Sequence, residues 1–124
     1  MASRGGGSIL NQSSMAAYSV GAAYGVSKLA LNALTVLLAS EFAADGIRVN
    51  GIAPSLVDSE AAVEWMNDPV RQGVEQTIVG NQMIKRLGRM GDCANLVLFL
   101  CSEDASFITG QTVLVDGGFT RKPF

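Results

Sequence analysis

The sequence predicts an α/β domain built on a parallel sheet, and three observations carry that prediction. Short β-type runs alternate with helical periods in the order β-α-β-α-β along the 124 residues. The middle run, residues 47 to 53, reads as a buried strand bounded by Pro54. The segments between strands are long enough for crossover connections, which parallel neighbours require and hairpins do not. Hydrophobic residues make up 48% of the chain and charged residues 16%. That supports one domain over residues 1–124, but it is apolar for a small free-standing monomer with so much surface per volume. Some apolar surface is therefore expected to be covered by a partner.

The elements follow in order. Residues 8 to 13 predict a short strand. Residues 22 to 44 predict a long helix, because Val26, Leu29, Ala30, Ala33, Leu34, Leu37, Leu38 and Phe42 recur at three-and-four spacing. Asp45-Gly46 stops it, since glycine tolerates the left-handed conformation at a helix C-terminus. Pro54 bounds the strand over 47 to 53. The stretch from 56 to 90, with Trp65, Met66 and Pro69, lacks one sustained period and predicts short helices in a mobile loop. Asp92 is placed to cap a helix over 93 to 102, with Ala94, Val97, Leu98 and Cys101 on one side. Thr112 to Val115 closes the domain as its last strand.

Composition excludes several functions. A net charge of −2 and a pI near 4.9 give no basic footprint, so no nucleic-acid partner is expected. With no histidine and no Cys-x-x-Cys pair, no metal site is expected. Cys93 and Cys101 fall eight residues apart in one predicted helix, about 12 Å along its axis, too far for a disulfide. They read as buried thiols of a reducing cytoplasm. No continuous apolar run or charged leader stands out, so neither a membrane span nor a signal peptide is expected, and the localisation expected is cytoplasmic.

The chemistry-bearing residues are Tyr24 and Lys28, about ten residues beyond the serine pair Ser13-Ser14. Four residues apart on a helix, a phenol and an ammonium lie on one face. An ammonium there stabilises negative charge developing on the phenol oxygen, which suits the phenol to moving protons. Taken alone, such a pair is more often a solvated helix face.

Four motifs in order make the pair specific. Gly6-Gly7-Ser8-Ile9-Leu10-Asn11-Gln12-Ser13-Ser14 is followed by Tyr24-x-x-x-Lys28, by Arg48-Val49-Asn50-Gly51-Ile52-Ala53-Pro54, and by Thr109-Gly110-Gln111 through Val115-Asp116-Gly117-Gly118. The chain thereby resembles the C-terminal half of the short-chain dehydrogenase/reductase family over nearly all its length. It departs from the family pattern at Ser55, where glycine is usual, and in a serine-to-tyrosine gap a few residues short.

The resemblance implies a partial Rossmann-like, doubly wound parallel sheet made of the three C-terminal strands and their helices. It implies an oxidoreductase using NAD or NADP, with hydride transfer between the nicotinamide and a small-molecule alcohol or ketone. Tyr24 would be the acid/base, Lys28 its charge-stabilising neighbour and a ligand of the nicotinamide ribose, and Ser14 the hydrogen-bond donor to the substrate oxygen; Ser13 is not the reacting serine. Pro54, Val57 and Ser59 would edge the nicotinamide, with Val57 offering backbone groups to the carboxamide. The helix over 22 to 44 would pack against its copy in a homo-oligomer. The family's Gly-rich pyrophosphate turn, which belongs between a strand and a helix, has no counterpart here, because Gly5-Gly6-Gly7 precedes a strand and reads as a flexible lead-in. The expectation is that the dinucleotide-binding half is absent, that this chain alone binds cofactor weakly, and that a truncated, non-catalytic oligomerisation module is the alternative function.

Overall fold

The computed structural model describes residues 1–19 and 21–121. Three parallel strands form the sheet in the order β1-β2-β5: β1 is Gly7–Gln12, β2 is Ile47–Pro54 and β5 is Thr112–Val115. Ile9 lies opposite Val49, and Ile52 opposite Val113. β2 is central and supplies the driest part of the molecule, with Val49 and Ala53 fully buried. Its length includes Pro54, one residue beyond the expected end; proline is tolerated there because position 54 turns its nitrogen to the β1 side, where the pairing has stopped at Ile52, while the Ser55 N–H donates to Val115 O on the other. β1 starts and ends one residue earlier than expected, although the Ser13 N–H still donates to Ile52 O at 2.8 Å.

Helix α1, Ala23–Glu41, packs on β2, and a 3₁₀ turn over Ala43–Asp45 follows it. Gly46, at φ +70°, then reverses the chain into β2. The helical period expected to reach residue 44 is thus divided between two helix types. The predicted apolar series also faces the wrong way. Val26, Leu29, Leu34 and Leu37 are exposed, and of that series only Leu38 and Phe42 join the cluster formed by Ala39, Ile47, Val49 and Ile9. The covered stripe is Gly25, Lys28, Leu31, Asn32, Thr35, Leu38 and Ala39. Small and polar residues stand there because α1 is hydrogen-bonded to β1 and its extension: Asn11 Nδ2 donates to Thr35 Oγ1 at 3.0 Å, Ser13 Oγ to Lys28 O at 3.2 Å, and Lys28 Nζ to Gln12 O at 2.9 Å. By length and composition alone α1 is long and apolar enough to cross a membrane, although no continuous apolar run stood out in the sequence. Its polar stitches to the sheet make it the covering helix of a domain.

Between β2 and the next long helix run β3 (Val57–Asp58), α2 (Glu60–Met66), a 3₁₀ turn, α3 (Val74–Asn81) and β4 (Gly88–Arg89). The short helices match expectation; the parallel two-residue ladder that pairs Val57 with Gly88 does not. Helix α4, Met90–Cys101, begins three residues before the expected start. Asp92 is not its N-cap. Arg89 holds that position, and Asp92 sits inside the first turn, where its carboxylate accepts from the Arg89 N–H at 2.7 Å and pairs with Arg86 at 2.7 Å. The face expected inward is also displaced: Leu100 is buried and Cys93, Leu96 and Val97 half-buried, while Ala94, Leu98 and Cys101 are exposed. Of the two thiols read as buried, then, Cys101 is on the surface.

Arg48 spans from β2 to the end of α4, donating to Leu100 O at 2.7 Å and Ser102 O at 2.9 Å, carbonyls that a helix C-terminus leaves unpaired. Asn50, wholly buried, is satisfied by Ile108 O at 2.8 Å and by the Gln111 N–H at 3.1 Å. Gly5 and Gly6 are a fixed close approach, not a flexible lead-in. Both take positive φ, and a Cβ on Gly6 would run into the Gly46 carbonyl.

Candidate active site

The C-terminal ends of β1 and β2 open toward one side of the sheet, and a cleft of about 660 Å³ lies there. Ser14, Tyr24, Pro54, Val57 and Ser59 all line it. Each is placed by a local cause. Ser14 follows β1 and caps the 3₁₀ turn Met15–Tyr18, its hydroxyl oxygen accepting from the Ala16 N–H at 3.2 Å; its own proton remains free for another acceptor. Ser13, 3% exposed, spends its proton on the Lys28 carbonyl, which leaves Ser14 as the serine with a donor to offer.

Tyr24 lies in the first turn of α1 and is 57% exposed. Lys28 follows one turn later on the same face, its Nζ 5.5 Å from the Tyr24 ring centroid. Lys28 is not among the residues lining the cleft; it stands behind Tyr24, tethered to β1 through Gln12 O. Pro54 is buried at the end of β2. Val57 belongs to β3, and Ser59 caps α2 by accepting from the Ala62 N–H at 3.2 Å.

The remaining wall comes from Leu56 and from α4 through Met90, Cys93, Ala94, Val97 and Leu98, none of which carried a sequence signal beyond apolarity. Burial pushes the Cys93 thiol up, and the neighbouring Asp92 charge adds to the effect, so it stays protonated and inert. Among the described residues no charged side chain lines the cleft. Such a site can hold a flat, largely neutral group against Pro54 and Val57 and present two hydroxyls, Ser14 and Tyr24, to an oxygen acceptor. Among the described residues no cluster of His, Cys, Asp and Glu could hold a metal ion.

Ser55 and Gln82 were not foreseen as a pair. The Gln82 side chain meets Ser55 Oγ at 3.0 Å and is buried. A lone glutamine in an aperiodic stretch gives no sequence signal.

Over residues 1–120 the chain matches the family described as enoyl-(acyl carrier protein) reductase. It is 50% identical over 121 residues to dehydrogenase/reductase SDR family member 4 of Bos taurus, and 47% identical over 122 residues to that of Homo sapiens. Each alignment takes in 95% of this chain and 42% of the relative, so the chain spans less than half the length of these proteins. Among solved structures it resembles a 7α-hydroxysteroid dehydrogenase complexed with NADH and 7-oxo glycochenodeoxycholic acid, with a TM-score of 0.86 and 39% identity over 95% of this chain and 46% of that one. A short-chain type dehydrogenase/reductase from Mycobacterium ulcerans gives a TM-score of 0.82 and 35% identity over 97% and 44%.

Proposed function

Since this chain belongs to the short-chain dehydrogenase/reductase family of oxidoreductases, we propose that it carries the catalytic half of an NAD(P)-dependent reductase or dehydrogenase acting on a small-molecule ketone or alcohol. The observation that supports this reading most is the convergence of Ser14, Tyr24, Pro54, Val57 and Ser59 on one uncharged cleft, with Lys28 directly behind Tyr24.

The residues present fit the nicotinamide end of such a cofactor. Pro54, Val57 and Ser59 would hold the ring, and the flat, uncharged wall suits it. When bound, the nicotinamide supplies or accepts the hydride. This chain's own part is the proton. In the reducing direction the Tyr24 hydroxyl gives its proton to the substrate oxygen as negative charge builds there, and the free Ser14 O–H donates a hydrogen bond to the same oxygen. The Lys28 ammonium lowers the cost of the charge left on Tyr24, and its anchor at Gln12 O keeps it close. The pyrophosphate end finds no cradle among these residues, since the N-terminal glycines are committed to packing against Gly46. Steady-state assays with NADH and NADPH against a panel of ketones test the reading; activity surviving Tyr24→Phe would defeat it.

A second reading keeps the ancestry and drops the turnover: an association module that joins itself or intact relatives. The exposed apolar face of α1, with Val26, Leu29, Val36 and Leu37, favours it. Mixing the chain with an intact relative separates the two, because a module changes assembly size without adding Tyr24-dependent turnover.

A further inference from the structure

Pro54 ends β2, and the loop that follows carries Val57 and Ser59; its backbone is held by the Ser55 N–H, which donates to Val115 O at 3.0 Å, and by a two-residue ladder. Further support comes from a buried side chain. Gln82, immediately after α3, is 2% exposed, so every polar atom of its amide needs a partner. The orientation that satisfies the amide turns its oxygen to Ser55 Oγ at 3.0 Å and its nitrogen to the carbonyls of Ile84 at 3.1 Å and Arg86 at 2.7 Å.

One amide thus joins the residue just beyond β2 to the turn over 84–86 that leads into β4. That turn is anchored separately from the C-terminal side: the Met83 and Ile84 N–H groups both donate to Gly117 O, at 2.8 and 3.0 Å. Gly117 is held by a turn in which the buried Asp116 carboxylate accepts from the Gly118 N–H and from Thr120. From β4, the Gly88 N–H returns to Leu56 O at 3.0 Å and Val57 pairs with Gly88. Val57 is therefore approached from both flanks by one network, through Ser55 on its N-terminal side and through Gly88 beside it.

We infer that Gln82 is a positioning residue for the cofactor-facing loop, acting through Ser55 and the 84–86 turn to hold the backbone at Val57; the inference rests on the nicotinamide role proposed for that loop. It also gives a reason for Ser55, a hydroxyl-bearing residue where glycine is usual in the family, since glycine would leave the Gln82 oxygen unpaired in a buried site.

The test is a chemical-shift titration of the whole chain with nicotinamide mononucleotide, together with hydrogen exchange at the Gly88 amide. Three variants are compared. Ser55→Ala removes one bond, Gln82→Met keeps side-chain length while deleting all three, and Ser55→Thr restores the hydroxyl. Ser55→Ala is expected to weaken the mononucleotide and to speed Gly88 exchange, each about fivefold, the worth of one lost hydrogen bond. Gln82→Met is expected to do more, and Ser55→Thr to return both readouts to wild type. Affinity and exchange unchanged in Ser55→Ala would overturn the inference, and would do so even if Gln82→Met did not fold. Should wild type bind no mononucleotide, the nicotinamide role of the loop falls. Gly88 exchange then decides the positioning alone: acceleration in Ser55→Ala with rescue in Ser55→Thr upholds it, and no change overturns it.

Discussion

Lys28 holds its ammonium 5.5 Å from the centroid of the Tyr24 ring while donating to Gln12 O at 2.9 Å, so the cation is fixed from β1 and not left to swing in solvent. A freely rotating lysine would lose much of its effect to side-chain entropy and water. Anchored, it stays beside the Tyr24 ring, on whose oxygen charge is proposed to develop.

Tyr24→Phe deletes that oxygen and nothing else, and at an exposed position it should leave the fold untouched. The expected loss of turnover is about a hundred- to ten-thousand-fold, the range for a positioned proton donor. Lys28→Ala should also be severe, but it removes the bond to Gln12 O as well. Circular dichroism beside the kinetics separates the two effects: intact ellipticity with lost turnover assigns the residue to chemistry.

As 124 residues, the chain is expected to show no micromolar binding to NAD or NADP, because the contacts proposed for it are to the nicotinamide end and no Gly-rich turn between a strand and a helix cradles a pyrophosphate among the described residues. Isothermal calorimetry with both nucleotides measures this. Tight binding of either would mean that a phosphate site exists elsewhere on this surface.

Acid should loosen the start of α4. Hydrogen bonds from Arg86 and from the Arg89 N–H lower the Asp92 carboxyl from 3.8 to about 2. A carboxyl depressed on folding contributes stability that is complete above its unfolded value and is lost as pH falls through the folded one. The contribution should fade between about pH 4 and about pH 2. Melting temperature followed over that window should fall less steeply in Asp92→Asn than in wild type, and parallel curves would remove Asp92 from the account.

How much was legible in the sequence follows from what each residue had to satisfy. β2 and β5 were readable because each is a short run rich in Ile, Val and Leu bounded by glycine or proline, and Gly46 because a left-handed stop demands glycine. The proposed site residues came from motif spacing alone, which puts them just beyond β1, in the first turns of α1, at the end of β2 and in the loop after it. The inward faces of α1 and α4 were not readable. On α1 the covered positions mix Gly25, Lys28 and Thr35, which serve close approach and hydrogen bonding to β1 and the residue after it, with Leu31, Leu38 and Ala39, while most of the apolar series lies on the opposite side, so apolarity does not mark the inward face. On α4 nearly every residue after Asp92 is apolar, which leaves the period without a phase. The β3-β4 ladder and Gln82 depend on contacts distant in sequence that no local pattern encodes.

The outer face of α1 leads to the last prediction: the chain will be at least a dimer, joined through this helix. Val26, Leu29, Leu34, Val36 and Leu37 are each between 42% and 57% exposed, a continuous apolar surface larger than a small monomer usually leaves to water. A helix face repeated in an identical chain is self-complementary about a two-fold axis, the commonest closed arrangement. Leu29→Glu with Val36→Glu places two charges on that face without touching Leu38 or Phe42, which pack in the core. In a dimer those charges would be buried without partners, at a cost of several kcal/mol or about that order. Light scattering should give a dimer or larger for wild type and a monomer for the double variant. A monodisperse wild-type monomer would refute the prediction, and an unchanged oligomer in the variant would move the contact off α1, the free edge of β1 being the next surface with unpaired backbone to offer.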